Sequence, residues 1–234
     1  MPTTPEGFAK RLDRLKADLI EQGRRVHAVI DRAVEAVFEP SDRKAAWVVQ
    51  QDHEIDRVDV NIEKACVALL TDATHDGAAL TQDQLRLVLT IVKLNNELER
   101  IADAAVAIAE QTAHFTSAGA RPPDAFRVMA NSVIGIYETS LRAFEVLDTE
   151  QARGVLASED TALAFKKAVL RETEEALAAG SRSVDTAFCL HEMAASLDRI
   201  ADHCSNVAEQ VIYLATGAIV RHEGGKWTSP MQPH

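Results

Sequence analysis

Acidic residues recur along the first half of the chain at spacings that place them on single helix faces. One series has spacings of four, three and four residues and comprises Asp52, Asp56, Asp59 and Glu63. A second series has spacings of four and seven and comprises Glu99, Asp103 and Glu110. Residues three and four apart are neighbours on a helix, so each series forms one ridge of carboxylates.

Two facing ridges of carboxylates would form a nest of oxygen ligands for a cation. Like charges four residues apart destabilise an isolated helix by about 0.2–0.5 kcal/mol per pair, which a bound cation or protonation would relieve. Carboxylate-rich ligand sets without cysteine suit magnesium, manganese, calcium or iron. The same spacing is also typical of a solvated acidic face with no specific ion. His53 and His203 each follow an aspartate and could reach such an ion, although surface histidines would have the same pattern.

The second ridge lies in a segment that the chain repeats. The two copies read LNNELERIADAAVAIAEQ from Leu94 to Gln111 and SLDRIADHCSNVAEQ from Ser196 to Gln210. At a constant offset of 99 residues, without a gap, Glu99 aligns with Asp198 and Asp103 with Asp202. Because an arginine, a glutamine and acidic positions recur together with the apolar period, the pattern indicates an internal duplication.

The acidic residues lie in long intervals without proline, which favours helices. The seven prolines are Pro2, Pro5, Pro40, Pro122, Pro123, Pro230 and Pro233, and an interior proline costs a helix about 3 kcal/mol. Between them apolar residues recur every three or four positions, and no segment alternates like a strand, so no sheet is expected. The pattern predicts six helices, over residues 7–38, 41–70, 81–116, 123–147, 149–179 and 181–215. Thr81 and Gln84 predict a capping box at the start of the third helix, after a polar loop over residues 71–78.

Six long helices with short connections predict an all-α protein of two tandem three-helix bundles with antiparallel helices. The first bundle is expected over residues 1–118 and the second over residues 119–222. Residues 223–234 are rich in glycine, proline and polar residues and are expected to be a disordered tail.

Composition excludes several classes of function. The net charge of -11 and the pI near 5.2 argue against nucleic acid and against an anionic membrane surface as partners. The three cysteines have no CxxC spacing, so neither a zinc cage nor a disulfide framework is indicated. Without a signal peptide or a run of about 20 apolar residues, the expectation is a cytoplasmic protein with no direct membrane insertion. The chain shows no hydrolytic triad, phosphate-binding glycine loop or Glu-x-x-His pair, so no catalysis is expected.

The repeated segments resemble the signature of the PhoU family, the accessory proteins of bacterial phosphate uptake. ELERIADAAVAIAEQ and LDRIADHCSNVAEQ are similar to that family's glutamate-arginine-isoleucine-glycine-aspartate run followed by asparagine-isoleucine-alanine-glutamate. DHEID, from Asp52 to Asp56, is similar to its other acidic motif. The resemblance covers essentially the whole chain, although Ala102 and Ala201 stand where the family usually has glycine.

The resemblance implies metal clusters on the surfaces of both bundles, with iron, manganese, zinc or magnesium as the ion. The first metal site maps onto Asp52, Asp56, Glu99 and Asp103. The second maps onto Glu159, Asp198 and Asp202. Aligning WVVQQDHEID with GVLASEDTAL places Asp52 on Glu159 but Asp56 on Leu163, so the second site has one carboxylate fewer.

The resemblance also implies a function without turnover. Such a protein would negatively regulate phosphate uptake and phosphate-starvation signalling by contacting the phosphate ABC transporter and the sensor histidine kinase, and it would form a homodimer. A variant of this hypothesis pairs the protein with a different phosphate permease. An alternative of another class is a carboxylate-rich bundle that binds or stores metal without a role in phosphate signalling. An adaptor would hold a fixed handful of ions, whereas a store would hold many.

Overall fold

The structure is a computed structural model that describes residues 4–39, 41–223 and 226–228 of the chain. The described residues form seven helices, α1 Pro5–Phe38, α2 Asp42–His75, α3 Gln82–Ser117, α4 Asp124–Val146, α5 Thr149–Ala157, α6 Glu159–Ala178 and α7 Val184–Thr216. None of these helices combines the length and the apolar character needed to span a lipid bilayer. The predicted all-α fold with a repeated three-helix plan is confirmed, with α5 and α6 together in the place of the fifth predicted helix.

Local capping fixes where several helices begin. The hydroxyl groups of Thr4, Ser41 and Ser183 accept hydrogen bonds from backbone N–H groups in the first turns of α1, α2 and α7. At the start of α3, Gln84 Oε1 accepts from the Thr81 N–H at 2.9 Å, and Thr81 Oγ1 accepts from the Gln84 N–H at 3.2 Å. The predicted capping box is therefore confirmed, and it fixes the residue at which α3, the helix that carries the second acidic ridge, begins.

The prediction of a loop over residues 71–78 is wrong for most of that segment. α2 continues to His75. Thr71 and Thr74 donate their hydroxyl groups to the carbonyl oxygens of Val67 and Leu70, at 2.9 and 2.8 Å. Polar residues that favour turns can remain helical when their side chains bond back to the preceding turn.

The helix predicted over residues 149–179 is interrupted at Ser158. There the backbone N–H bonds to the Val155 carbonyl at 3.0 Å, one residue closer than in an α-helix. The Ser158 hydroxyl donates to the Gly154 carbonyl at 2.8 Å and so takes the place of the missing backbone bond. As a result Glu159, a residue of the second predicted metal site, is the first residue of α6.

The two halves of the chain share one core. α1, α2 and α3 pack on one another, α7 packs on α4, α5 and α6, and the most extensive helix–helix contact joins α3 to α7. These two helices are antiparallel, because Tyr213 lies against Arg86 while His203 lies against Glu97. Buried apolar residues of both halves form a single cluster. The division of the chain at residues 118 and 119 stays a prediction.

A close contact between α1 and α4 also joins the halves. The Tyr137 hydroxyl donates to the Gly23 carbonyl at 2.7 Å, and both residues are buried. A Cβ atom at position 23 would lie only 2.5 Å from Cδ1 of Leu141. Glycine therefore permits the close approach of these helices.

A short hairpin follows α7, which the sequence did not predict. Its strands are β1 Arg221–Glu223 and β2 Lys226–Thr228, and they pair antiparallel with His222 opposite Trp227. Three residues are too few to show the alternation by which a strand is recognised in a sequence. The remaining part of the predicted disordered tail, residues 224–225 and 229–234, lies outside the described residues.

Replacing Gly23 by alanine is expected to lower the free energy of unfolding by about 1–2 kcal/mol, because the new methyl group would press on Leu141. Gly135 of α4 is the matched control, since a Cβ atom there would meet no atom within 4 Å. Gly135→Ala should raise the free energy of unfolding by about 0.5–1 kcal/mol through helix propensity. Urea unfolding followed by circular dichroism measures both variants. Equal stabilisation by the two changes would show that α1 and α4 are not tightly packed at Gly23.

Candidate metal centre

The acidic ridges of α2 and α3 face each other across the groove between these two helices. Asp52 lies close enough to Asp103 for the two charges to interact, and Glu99 interacts in the same way with Asp56. The structure thus brings together all four residues of the first predicted site. We call Asp52, Asp56, Glu99 and Asp103 the first cluster. That it binds metal stays a prediction.

One end of the first cluster has the donor atoms for an ion close together. One ligand atom from each of Asp52, His53 and Asp56 lies within 4.8 Å of the other two. Asp52 is half-buried, whereas His53 and Asp56 are exposed. Two carboxylates and an imidazole at this separation could approach one cation from a single face of α2.

The first cluster is costly to hold in its ionised state. Burial, together with the Asp56 and Asp103 carboxylates, raises the pKa of Asp52. Burial and Asp103 likewise raise the pKa of Glu99, and burial and Asp56 raise the pKa of Asp103. A cation bound among these groups would remove both the repulsion and the cost of their partial burial.

Two buried polar groups lie in the first cluster or beside it. Asp52 Oδ1 is buried and has no hydrogen-bond partner among the described residues, although buried oxygen atoms are almost always satisfied. Asn95 of α3, only 3% exposed, donates its amide to Asp59 Oδ1 at 2.6 Å and to the Asp59 carbonyl at 2.9 Å. Asn95 thereby holds Asp59 beside Glu99, against the repulsion between the two carboxylates.

The residues present fit a hard or borderline divalent cation. The donor set is several carboxylate oxygens with one imidazole, which suits iron, manganese, zinc or magnesium. Asp52, Asp56, Glu99 and Asp103 would hold the ion, with His53 beside them. Such an ion would supply the positive charge that the cluster lacks, and it would tie α2 to α3.

The second predicted site also comes together, but it contains a lysine. We call Glu159, Asp198 and Asp202 the second cluster. Burial, Asp198 and Glu159 raise the pKa of Asp202, while the nearby His203 and Lys166 oppose that rise. Lys166 Nζ lies 2.7 Å from Asp198 Oδ2. The second cluster therefore already has a positive charge paired with one of its three carboxylates, and its residues fit a metal less well than those of the first cluster.

The structure assigns roles to three residues that the sequence analysis did not identify, Asn95, Glu97 and Lys166. Glu97 of α3 binds His203 Nδ1 at 2.7 Å across the contact with α7, so this histidine is engaged by a carboxylate of the other half of the chain. The alignment that pairs Asp52 with Glu159 would have revealed Lys166 if continued along the helix. No local pattern singles out Asn95 or Glu97, because their partners lie on other helices.

Exposed apolar side chains recur at equivalent positions of the two repeats. Leu85 and Leu89 of α3 are 42% and 54% exposed, and at the offset of 99 residues they correspond to Val184 and Phe188 of α7, 70% and 62% exposed. A single exposed apolar residue is ordinary on a protein surface. Two equivalent pairs at the starts of two equivalent helices favour surfaces that contact other proteins.

Sequence comparison relates the chain to one family over nearly its whole length. The PhoU domain matches residues 19–112 and again residues 126–211. The phosphate-specific transport system accessory protein PhoU homolog of Pseudomonas putida is 31% identical over 221 residues, which cover 94% of this chain and 84% of that protein. The homolog of Pseudomonas aeruginosa is 30% identical and covers 93% of this chain and 88% of that protein.

Two solved structures share the arrangement of helices. The crystal structure of PhoU from Pseudomonas aeruginosa has a TM-score of 0.83 and 28% identity, over 90% of this chain and 99% of that chain. The phosphate transport system regulatory protein PhoU from Streptococcus pneumoniae has the same TM-score of 0.83 at 21% identity, over 92% of this chain and all of that one, and it shows the shared fold alone. Since the domain match occurs in both halves and spans most of the chain, this chain belongs to the PhoU family.

Proposed function

We propose that this protein is an accessory regulator of phosphate uptake that acts in the cytoplasm through protein–protein contacts and has no turnover of its own. The observation that carries the proposal is the match of both repeats to proteins described as phosphate-specific transport system accessory proteins, in Pseudomonas putida and in Escherichia coli K12. Its partners are the phosphate ABC transporter and the sensor histidine kinase, and its effect is to repress uptake and the phosphate-starvation response. The family resemblance supports a homodimer.

The metal ion in this proposal has a structural role. The first cluster lies between α2 and α3, so an ion bound there would hold the two helices at a fixed separation. Burial and the neighbouring carboxylates raise the pKa values of Asp52, Glu99 and Asp103, which supports a bound counter-charge at this place. The surface formed by α2 and α3 would then depend on whether the ion is bound, which links metal content to the binding of a partner.

The exposed apolar pair of α3 gives this surface a second component. Leu85 and Leu89 lie on the same outward face of α3 as Glu99 and Asp103, because at about 100° per residue positions 85, 89, 99 and 103 fall within an arc of about 80°. We assign this apolar and acidic face to the contact with the transporter. An apolar anchor that contributes about 1.4 kcal/mol to an interface lowers the affinity roughly tenfold when it is truncated.

Deleting the gene is expected to raise expression of a phosphate-starvation reporter in medium with ample phosphate. The reason is that a repressing contact with the transporter and kinase is lost. The measurement is reporter activity in the deletion strain with and without a plasmid copy of the gene. Unchanged repression in the deletion strain would contradict the proposed function.

Replacing Asp56 and Asp103 together by asparagine should remove most of the metal that copurifies with the protein. Elemental mass spectrometry of protein purified without a metal-affinity step measures the content of iron, manganese, zinc and magnesium. The matched control is Asp13→Asn with Asp18→Asn, because both residues are exposed on α1 and the change in charge is the same. Equal metal content in all three proteins would show that the acidic ridges are a solvated face.

Replacing Leu89 by serine should weaken capture of the phosphate transporter by roughly tenfold without changing the free energy of unfolding. Leu89 is exposed, so the loss is one of contact area with a partner and not of core packing. Val146→Ser is the control, because Val146 of α4 is 60% exposed and lies away from this face. Capture of purified transporter in detergent measures the effect, and equal affinity of the two variants would exclude Leu89 from the contact surface.

A further inference from the structure

The second helix of each bundle can be aligned residue by residue from the structure. Asp52 of α2 corresponds to Glu159 of α6, an offset of 107 residues. At this offset the buried positions coincide: Val48 with Val155, Ile55 with Ala162, Ile62 with Val169, and Cys66 with Thr173. Because the inward faces agree over about five helical turns, residues on the outward, acidic faces can be compared position by position.

The outward faces differ in charge far more than the inward faces differ in shape. The acidic positions of the first bundle are Asp52, Asp56, Asp59, Glu63, Glu99, Asp103 and Glu110. Their equivalents in the second bundle are Glu159, Leu163, Lys166, Leu170, Asp198, Asp202 and Glu209. Two carboxylates have become leucine, and one has become lysine. The lysine adds a positive charge where the first bundle has Asp59.

Equivalent residues make opposite contacts in the two bundles. In the first bundle Asp59 is held by the Asn95 amide, and its charge repels that of Glu99. In the second bundle the equivalent of Asp59 is Lys166, and its ammonium group lies 2.7 Å from Asp198, which is the equivalent of Glu99. Asn95 itself is replaced by Ala194, which is fully buried. The two bundles therefore differ at two linked positions: the second bundle has lysine at the position of Asp59 and has no side-chain amide at the position of Asn95.

The pair of Lys166 and Asp198 is also protected from solvent. The side chains are only 24% and 18% exposed, so water and salt screen the pair less than an ordinary surface ion pair. A metal ion bound by Asp198 and Asp202 would have to displace an ammonium group that is tethered to the same protein. A tethered group competes at an effective concentration on the order of millimolar.

We propose that Lys166 is a built-in counter-ion that replaces metal in the second cluster, so that the protein binds its metal in the first bundle alone. This inference extends the proposed function, because it assigns the metal of that proposal to one bundle. The duplicated sites have thus diverged: one would take its positive charge from an ion in solution, and the other receives one from Lys166 when the chain folds. Removing the lysine, and not merely adding a carboxylate, should open the second cluster to metal.

The test compares Leu163→Asp alone with Leu163→Asp combined with Lys166→Asp. Leu163→Asp restores the carboxylate at the position of Asp56 but leaves the ammonium group in place, so bound manganese should stay at the wild-type content. Adding Lys166→Asp should bring roughly a doubling of bound manganese, since well-separated sites behave independently. The matched control is Leu163→Asp with Lys167→Asp, because Lys167 is exposed on the same helix and the net charge is identical. Manganese titration by calorimetry and elemental mass spectrometry give the content.

A second measurement tests Lys166 without metal. In buffer with EDTA, Lys166→Met should lower the Tm by about 2–6 °C because Asp198 loses its counter-charge, and Lys167→Met should leave it nearly unchanged. Equal Tm values, or no gain of manganese when Lys166→Asp is added to Leu163→Asp, would overturn the counter-ion role. If wild-type protein binds no metal, but Leu163→Asp with Lys166→Asp gains manganese and Lys166→Met lowers the Tm, the metal assignment of the proposed function fails and the role of Lys166 stands.

Discussion

The packing of α3 against α7 is the constraint on which the rest of the structure depends. Each helix carries one copy of the repeated segment, and Ile101 and its equivalent Ile200 are fully buried. Because this seam must face the core, the acidic residues two positions on either side point toward the neighbouring second helices. The same apolar burial that joins the two halves therefore orients both clusters. Glu97 and His203 add a polar contact across the seam.

The carboxylates are held together by packing and in spite of their own electrostatics. α2 and α3 are fixed by residues such as Ile55, Ile62 and Ile101, which the hydrophobic effect keeps buried. This arrangement partly desolvates the carboxylates and makes them repel one another. Both effects raise the pKa values of Asp52 and Asp103. Because the core already holds the carboxylates in place, an ion that bound here would not have to assemble its ligands.

The two copies of the repeat each hold a pair of carboxylates on the third helix, but the charges around the pair differ between the copies. Both bundles retain the acidic pair on the third helix, Glu99 with Asp103 and Asp198 with Asp202. The first bundle surrounds its pair with further carboxylates and a buried Asp52 oxygen that has no hydrogen-bond partner among the described residues. The second bundle surrounds its pair with leucine and lysine. Similar helical backbones thus support surfaces of different charge.

The family resemblance selected the four residues of the first cluster. The sequence by itself determined the all-α fold, the duplication, the capping box at Thr81 and the two acidic ridges. These features rest on local period and spacing, which a helix converts directly into faces. Only the tertiary structure decided the interruption at Ser158, the support of Asp59 by Asn95, and the pairing of His203 with Glu97 and of Lys166 with Asp198. Each of the three side-chain pairings joins residues far apart in the chain, so its energy depends on how whole helices pack and leaves no periodic signal in the sequence.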